Sequence, residues 1–292
     1  VNLHGSYAQV TETAVGSNVV KIAVRNPHFY REGDRIRLYR GNGTAAVFNR
    51  TILEKKTTDD DPPAFNDKLD HVLEITLDES VSVEEGDMVD NKDHVSNQFL
   101  IKNNRFKINR ARAILARGFN GEISGNTIEN IAMPGILIYP KIGGESGFSY
   151  NLLIENNSLF RVNVRSGSPS LVQAGAITVA SSDVDWGKNG HNLISIRSNV
   201  IDYAKGVNLH LQSGKNVDIS DNVFMNTHKI NGNGFNGEGL GIDPYAVIWL
   251  DQVDGVDFGG ENQVIQYGDK TSSIVSHTPT AVNVSGIDSI QF

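Results

Sequence analysis

The sequence has no cysteine among its 292 residues, which excludes disulfide bonds and metal sites built from thiolates. Helical periodicity is almost absent, and no apolar run reaches the roughly 20 residues that a transmembrane helix requires. The chain also lacks a Gly-x-x-x-x-Gly-Lys-Ser phosphate loop, a His-Glu-x-x-His zinc motif and a Gly-x-Ser-x-Gly nucleophile elbow. What remains is a sequence whose patterns are those of β-strands.

Positive charge is scarce as well. Lys and Arg total 26 against 34 Asp and Glu, which gives a formal net charge of −8. Nucleic acids and membrane surfaces favour basic patches, so this balance argues against both as partners. Apolar residues make up 39% of the chain and charged residues 21%, as in an ordinary globular protein. Because many secreted bacterial proteins lack cysteine, we expect an extracellular or periplasmic bacterial protein.

A short phrase recurs six times in the chain, each time around an asparagine. In Val217-Asp-Ile-Ser-Asp-Asn-Val-Phe224, one apolar residue lies three places before the asparagine and another lies two places after it. All six phrases share the second feature, and five share the first. The asparagines are Asn104, Asn126, Asn157, Asn199, Asn222 and Asn262, separated by 22, 31, 42, 23 and 40 residues. The short separations indicate a unit of about 22 residues, lengthened elsewhere by inserted loops.

Each unit is predicted to form a strand, a turn and a second strand. The residues before each asparagine alternate between apolar and polar, and asparagine tolerates the left-handed backbone angles of a corner. Stacked corners can align their asparagine side chains in a ladder. No unit can bury its apolar face alone, so the units must stack. We therefore predict an all-β fold, a right-handed parallel β-helix, and disfavour a leucine-rich repeat because its regular leucine spacing is absent. The second strands are predicted at 113–116, 135–139, 175–179, 206–211 and 246–250.

Residues 10–90 carry no asparagine phrase. Two Glu-Gly-Asp sequences, at 32–34 and 85–87, instead signal tight turns before apolar strands. We predict a rung fragment at 1–9, an inserted antiparallel β-barrel or sandwich at 10–93, and the β-helix at 94–292. Val1-Asn-Leu-His4 resembles the second-strand segment Val207-Asn-Leu-His210. The chain is therefore expected to open within a rung, with earlier rungs lying outside residues 1–292.

Several phrases resemble glycoside hydrolase family 110, the α-1,3-galactosidases. Val1-Asn-Leu-His-Gly-Ser-Tyr7 is similar to the family's Asn-x-His-Gly-Thr-Tyr segment, which leads from the β-helix into an inserted barrel. Glu32-Gly-Asp-Arg-Ile-Arg37 resembles the Gly-Asp-x-Ile strand of that barrel, and Asn109-Arg-Ala-Arg-Ala-Ile-Leu115 resembles the return into the helix. Gly144-Glu-Ser-Gly147 is similar to the family's Glu-Ser-Gly segment. Order and spacing agree over residues 1–160, and beyond them only the generic repeat is shared.

The resemblance implies an exo-acting, inverting glycoside hydrolase that acts on terminal α-galactosides of oligo- or polysaccharides. Glu145 falls on the Glu-Ser-Gly motif and is the candidate for one of the two carboxyl groups that such an enzyme uses. The alternative interpretation is a solvated loop glutamate. The family's aspartate pair precedes the Asn-x-His-Gly segment and would lie before Val1. If Val1 is the true N-terminus, we expect residues 1–292 to show little hydrolase activity.

Two pairs of residues are predicted to bind substrate from shared strand faces. Asn2 and His4 alternate along one strand, where they can hydrogen-bond sugar hydroxyls, although a histidine buried beside the barrel is an equal alternative. Arg110 and Arg112 alternate in the same way and can hold an anion or lower the pKa of a nearby carboxyl group. Ion pairing on a rung surface is the alternative for the arginines.

Asp183, Asp185 and Trp186 follow a predicted strand and resemble a sugar site, in which an aromatic ring stacks on the pyranose and carboxylates bind hydroxyls. A plain loop and a structural calcium site are the alternatives. We otherwise predict no cofactor and no metal. Trp249 and Asp251 form a similar aromatic–carboxylate pair on a late strand, at a lower rank because their rung is expected to lie far from Glu145. Glu238 and Asp243 belong to a glycine-rich insertion whose function the sequence does not indicate.

Two further function classes fit the same repeat. A polysaccharide lyase would use the arginines near 110–117 as base, with calcium to neutralise a uronate. A non-catalytic carbohydrate-binding or adhesive β-helix, as in a phage tailspike, would need no carboxyl pair. An oligo- or polysaccharide is the expected partner in each case, and the sequence leaves the oligomeric state open.

Overall fold

A computed structural model describes residues 1–3, 5, 7–40, 46–62, 69–140, 147–164, 174–181, 190–229 and 241–292. The strands fall into one closed antiparallel barrel and three parallel sheets. The predicted fold class, a parallel β-helix with an inserted small barrel, is confirmed. Within the described ranges, no helix has both the length and the apolar character needed to cross a membrane.

The barrel comprises the first six strands and closes in the order β1-β2-β5-β4-β3-β6. A short 3-10 helix at Pro27–Phe29 joins β2 to β3. Most of the barrel's apolar side chains point inward and form a core separate from that of the β-helix. The strands are β1 (Tyr7–Val10), β2 (Ala14–Val24), β3 (Arg35–Tyr39), β4 (Ala46–Thr57), β5 (His71–Val83) and β6 (Met88–Asn91).

Both Glu-Gly-Asp sequences form the turns that the sequence predicts. Gly33 and Gly86 each adopt a φ of 87°, which a residue with a Cβ atom rarely tolerates. The aspartate that follows each glycine closes the turn, since Asp34 accepts a hydrogen bond from the Arg31 amide at 2.7 Å and Asp87 accepts one from the Glu84 amide at 2.9 Å. The two Glu-Gly-Asp sequences therefore form the same kind of turn.

Twenty further strands build the β-helix. They are β7 (Ser96–Asn97), β8 (Leu100–Lys102), β9 (Arg105–Asn109), β10 (Ile114–Ala116), β11 (Gly118–Ser124), β12 (Thr127–Ile131), β13 (Ile136–Ile138), β14 (Tyr150–Glu155), β15 (Ser158–Val162), β16 (Ile177–Val179), β17 (His191–Arg197), β18 (Val200–Asp202), β19 (Leu209–Gln212), β20 (Gly214–Ser220), β21 (Val223–Met225), β22 (Ala246–Asp251), β23 (Asp254–Gly259), β24 (Gln263–Ile265), β25 (Ser273–His277) and β26 (Val282–Ser285). A 3-10 helix at Ile287–Ser289 follows.

Each rung contributes one strand to each of three sheets. Sheet A is β10-β13-β16-β19-β22-β25, sheet B is β11-β14-β17-β20-β23-β26 with β7 and β8 beside β11, and sheet C is β9-β12-β15-β18-β21-β24. The sequence predicted two strands per unit, those of sheets B and A. The sheet C strand was missed because it begins directly after the asparagine, where only a turn was expected.

Apolar side chains of consecutive rungs stack inside the helix. Ile123, Ile154, Ile196, Ile219 and Phe258 are in register along sheet B, and all are buried. Sheets A and C supply similar rows, and the three rows meet in one continuous core. Burying a side chain of this size contributes about 1.5–3 kcal/mol, so every rung is stabilised chiefly by its neighbours.

The six asparagines form one uninterrupted hydrogen-bonded ladder at the corner between sheets B and C. The Asn126 amide and Nδ2 both donate to Oδ1 of Asn157, at 3.0 and 2.9 Å. The same pair of bonds links every consecutive member from Asn104 to Asn262. Each Nδ2 after the first also donates to a backbone carbonyl of the preceding rung. The predicted ladder is therefore confirmed.

The left-handed residue of this corner is not the ladder asparagine. It is the residue immediately before the asparagine in five rungs and Gly260, two places before Asn262, in the sixth. The φ values lie between 53° and 62° in Asn103, Gly125, Asn156, Ser198, Asp221 and Gly260. The sequence interpretation, which gave both tasks to one residue, was wrong on this point. The pair divides the work, because the first residue turns the backbone and the second satisfies the stacked polar groups.

The first residues of the chain pair with sheet A. Asn2 forms a parallel bridge with Leu115 of β10, and the Leu3 amide donates to the Leu115 carbonyl at 2.9 Å. Asn2 thereby joins the outward row of sheet A, in which His210 is also a member. The structural equivalent of His210 is thus Asn2, two positions away from the correspondence that the sequence likeness gives.

Removing a central ladder amide should be far more damaging than removing the terminal one. Asn199→Ala leaves the buried amide and Nδ2 of Asn157 without their acceptor, and we expect it to lower the free energy of unfolding by about 3 kcal/mol. Asn104→Ala, at the exposed end of the ladder, should cost about 1 kcal/mol or less. Urea denaturation of both variants measures the difference, and equal losses would contradict a role for the ladder in stability.

Candidate functional site

The carboxyl-terminal edge of sheet A collects the ends of its parallel strands. Because all strands run in the same direction, the residues that follow them lie along one line, as at the functional edge of other parallel sheets. Neighbouring strands are about 4.8 Å apart. The described residues along this edge are Leu3, Arg117, Tyr139, Ser181, Gln212 and Asp251.

Arg117 is the largest fully buried side chain of the described residues, with 1% of its surface exposed. Its Nε donates to the Tyr139 carbonyl on the next rung at 2.8 Å, and the guanidinium carbon lies 4.7 Å from the centre of the Tyr139 ring. Hydrogen bonding and cation–π contact thus hold a permanent positive charge at the β10 end.

Asp251 is fixed at the far end of the same edge. Its Oδ2 accepts from Nε2 of Gln212 at 3.2 Å, and its Oδ1 accepts from the hydroxyls of Thr278 and Thr280 at 2.7 and 2.9 Å. The carboxylate is half-buried. With these three donors it joins two rungs, so a structural role accounts for its contacts.

His210 occupies the outward row of sheet A between Thr178 and Trp249. Its side chain is fully buried, and within the described part of the chain neither ring nitrogen has a hydrogen-bond partner. Desolvation lowers the pKa of His210 from 6.5 to about 4, against the opposing charge of Asp251. The imidazole is therefore neutral at physiological pH.

The barrel meets this edge through a buried polar cluster. Asp90 accepts from Arg37 Nη2 at 2.5 Å, from the Tyr39 hydroxyl at 3.2 Å and from the Gly147 amide at 3.0 Å. Burial, reinforced by Asp90, raises the pKa of Tyr39 well above its usual value, which keeps the phenol a donor. A Cβ atom on Gly147 would collide with Tyr39 and Asp90, so only glycine fits there.

His191 continues the cluster towards sheet A. The Ser149 amide donates to its Nδ1 at 3.1 Å, so the ring proton lies on Nε2, which donates to the Ala180 carbonyl at 3.1 Å. Desolvation lowers the pKa of His191 to about 4. The ring therefore acts as a neutral link between the Phe148 segment, whose ring it meets edge-on, and the end of β16.

Five of the eight predicted site residues lie outside the described residues: His4, Glu145, Asp183, Asp185 and Trp186. Their described neighbours in the chain do lie at the carboxyl edge of sheet A. Leu3 precedes His4, Pro140 precedes the stretch that contains Glu145, and Ser181 precedes the stretch 182–189. Asn2 is exposed beside β10.

Arg110 and Arg112 are placed differently from the sequence expectation. They lie in the bend between β9 and β10, not on a strand, and therefore at the amino-terminal edge of sheet A. The expected shared strand face does not exist because β10 begins only at Ile114. Their predicted contact with substrate would have to be made at the edge opposite Leu3 and Pro140.

The lower-ranked candidates also have defined places where they are described. Asp251 belongs to the carboxyl edge, whereas Trp249 is almost fully buried with Ala174, Val207 and Ile242. Asp243 accepts hydrogen bonds from Ser272 and from the Tyr245 amide, and Glu238 lies outside the described residues. Sequence reasoning considered Arg117 only within the 110–117 stretch of the lyase alternative and missed Gln212, although each follows a predicted second strand.

The described residues contain no group of three His, Asp or Glu side chains arranged to hold a metal ion. No protein-family model matches the sequence, and no curated protein matches it. Among solved structures, the chain is similar to the tailspike protein gp49 from Pseudomonas phage LKA1, at 9% sequence identity and a TM-score of 0.22. The match covers 90% of this chain and 46% of the tailspike, so the chain spans less than half of that protein's length.

Acidification should unfold the protein through its buried histidines. An unfolded histidine titrates near 6.5 and folded His210 near 4, so the unfolded state binds more protons between these values and stability falls as the pH drops through this window. His210 alone contributes up to about 3 kcal/mol of this loss. In urea denaturation at pH 7 and pH 4.5, His210→Leu should show a smaller pH dependence than the unaltered protein. Identical pH dependence in the two proteins would contradict this account.

Proposed function

We propose that the protein is a carbohydrate-active β-helix protein that hydrolyses terminal α-galactosides of oligo- or polysaccharides at the carboxyl edge of sheet A. One observation carries the proposal. The three stretches that hold the candidate residues begin along this edge, after Leu3 beside β10, after Pro140 next to β13 and after Ser181 next to β16. These stretches are far apart in the sequence, and the stacking of the rungs brings their starting points to the same edge of sheet A.

The proposal assigns the two carboxyl groups to adjacent rungs. Inverting glycosidases hold their two carboxyl groups about 6.5–9.5 Å apart. β13 and β16 are neighbouring strands, about 4.8 Å apart, and the chain continues from them into the stretches with Glu145 and with Asp183 and Asp185. We therefore pair Glu145 with one of these two aspartates, in place of a partner that precedes residue 1.

The described surroundings fit such a pair. Arg117 holds a buried positive charge at the end of β10, one strand from β13, and a nearby cation favours the ionised form of a carboxyl group. One carboxyl group near Arg117 would then remain a base while the other stays protonated as the acid. The barrel binds the residue that follows the Glu145 stretch, because Asp90 accepts a hydrogen bond from the Gly147 amide.

Glu145→Gln should abolish turnover of p-nitrophenyl α-galactoside by residues 1–292, and so should either Asp183→Asn or Asp185→Asn. Loss of a general acid or base lowers the rate by about 10²–10⁴-fold. Glu261→Gln is the matched control, since Glu261 is an exposed carboxylate at the ladder corner. Nuclear magnetic resonance of the first-formed sugar anomer should show inversion.

Other outcomes of these assays point to the alternative functions. An unsaturated product that disappears on chelation of calcium would indicate a lyase. Binding of saccharide without any turnover, together with a trimer in size-exclusion chromatography, would indicate an adhesive or binding β-helix. Unchanged turnover in Glu145→Gln would remove Glu145 from the mechanism.

A further inference from the structure

The outer face of sheet B carries an open groove of about 490 Å³ that crosses β11, β14, β17 and β20. Half-exposed leucines lie at its centre and amide and carboxylate side chains line its sides. It lies on a different sheet from the edge described above. Its principal residues are Asn120, Asn151, Leu153, Leu193, Asn216 and Asp218.

Leu193 is the exception in a row of left-handed residues. At the equivalent position, the other rungs of sheet B have Gln98, Asn120, Asn151, Asn216, Gly255 and Asn283, with φ between 51° and 72°. Asparagine and glycine adopt this conformation readily, whereas leucine does so at a cost. Leu193 has a φ of 56° and exposes 43% of its surface. Ile108 on sheet C has a similar φ of 51° and is more exposed, so the conformation alone is not diagnostic. Leu193 differs because it lies in the groove, where its side chain is placed to contact a ligand.

The leucine also opens a gap in a second amide ladder. Asn151 Nδ2 donates to Asn120 Oδ1 at 2.8 Å, and Asn216 Nδ2 donates to Asn192 Oδ1 at 2.9 Å. Leu193 lies between these two pairs. No hydrogen bond from the described residues reaches Oδ1 of Asn151 or of Asn216, so acceptors flank the apolar side chain on both sides. This alternation of apolar surface and polar groups matches a sugar ring.

The charges of the groove exclude a polyanion. Its cation, Arg197, is paired with Glu155 at 2.9 Å, and Glu122 is paired with Lys102 at 3.2 Å. Among the described residues, the side chains that donate to Asp218 are the hydroxyls of Ser195 and Ser220. No unpaired positive charge lines the described groove, while one carboxylate is neutralised by no cation, so an uncharged ligand is favoured.

A peptide is a poorer fit than a saccharide. The strands beneath the groove are each hydrogen-bonded to a neighbour on both sides, so no free edge is offered to an added strand. We propose that this groove binds an uncharged glycan chain, separately from the edge of sheet A. The choice of a glycan rests on the proposed function, but the site itself does not.

Leu193→Asn tests the proposal because it should help the fold and harm the site. Asparagine suits the left-handed conformation and closes the amide ladder, so the melting temperature should stay the same or rise. Binding to galactomannan, a neutral polysaccharide with terminal α-galactosyl groups, should weaken at least tenfold in isothermal titration or affinity electrophoresis. Turnover of p-nitrophenyl α-galactoside should be unchanged, since this small substrate needs only the sheet A edge.

Two controls make the outcome decisive. Leu53→Asn alters a leucine of similar exposure, 52% against 43%, on barrel strand β4 and should leave galactomannan binding intact. Polygalacturonate, a polyanion, should bind measurably neither to the unaltered protein nor to Leu193→Asn. Unchanged galactomannan binding by Leu193→Asn overturns the proposal, and so does equal loss in Leu53→Asn or equal binding of polygalacturonate. Absence of galactoside turnover with intact galactomannan binding would instead contradict only the proposed hydrolase.

Discussion

The asparagine ladder is the interaction on which the rest of the structure depends. An amide side chain carries both donor and acceptor groups, so one residue type can accept from the rung before it and donate to the rung after it without limit. The buried corner therefore leaves no polar group unsatisfied along five successive steps. Each unit thereby fixes the register of the next at this corner. The remaining corners are free to differ from rung to rung.

The unequal spacing of the asparagines follows from the contrast between the constant ladder corner and the variable corners elsewhere in each rung. Between β11 and β12, as between β20 and β21, only two residues form the ladder corner, and the same is true at β14–β15 and β17–β18. The extra residues of the long units lie elsewhere, before or after the strands of sheet A. Insertions are consequently found around sheet A, because loops of variable length can be added at its edges without disturbing the stack. Sheet B differs, because its row of left-handed residues is mostly asparagine. That row is interrupted where Leu193 takes the place of an asparagine.

The repeat made the architecture predictable, since the apolar positions around each asparagine define both the buried face and the stacking. It did not reveal sheet C, whose strands are as short as three residues and bury as little as one side chain each. Arg110 and Arg112 were misplaced because strand alternation was extended into a bend. Arg117 and Leu193 became significant only with three-dimensional information. Nothing local in the sequence tells a buried arginine from an exposed one, or a left-handed leucine from an ordinary strand residue.

The inserted barrel adds a second constraint to the ladder. A buried ion pair such as Arg37 with Asp90 costs more in desolvation than it returns unless further donors complete it, and here Tyr39 and the Gly147 amide do so. These partners come from both the barrel and the β-helix, so the Asp90 carboxylate gains all three donors only when the two are docked in one orientation. The stretch 141–146 begins at a strand end held by the rung stack and finishes at an amide held by the barrel. The inserted barrel therefore contributes to the docking of the two parts of the fold as well as to its own core.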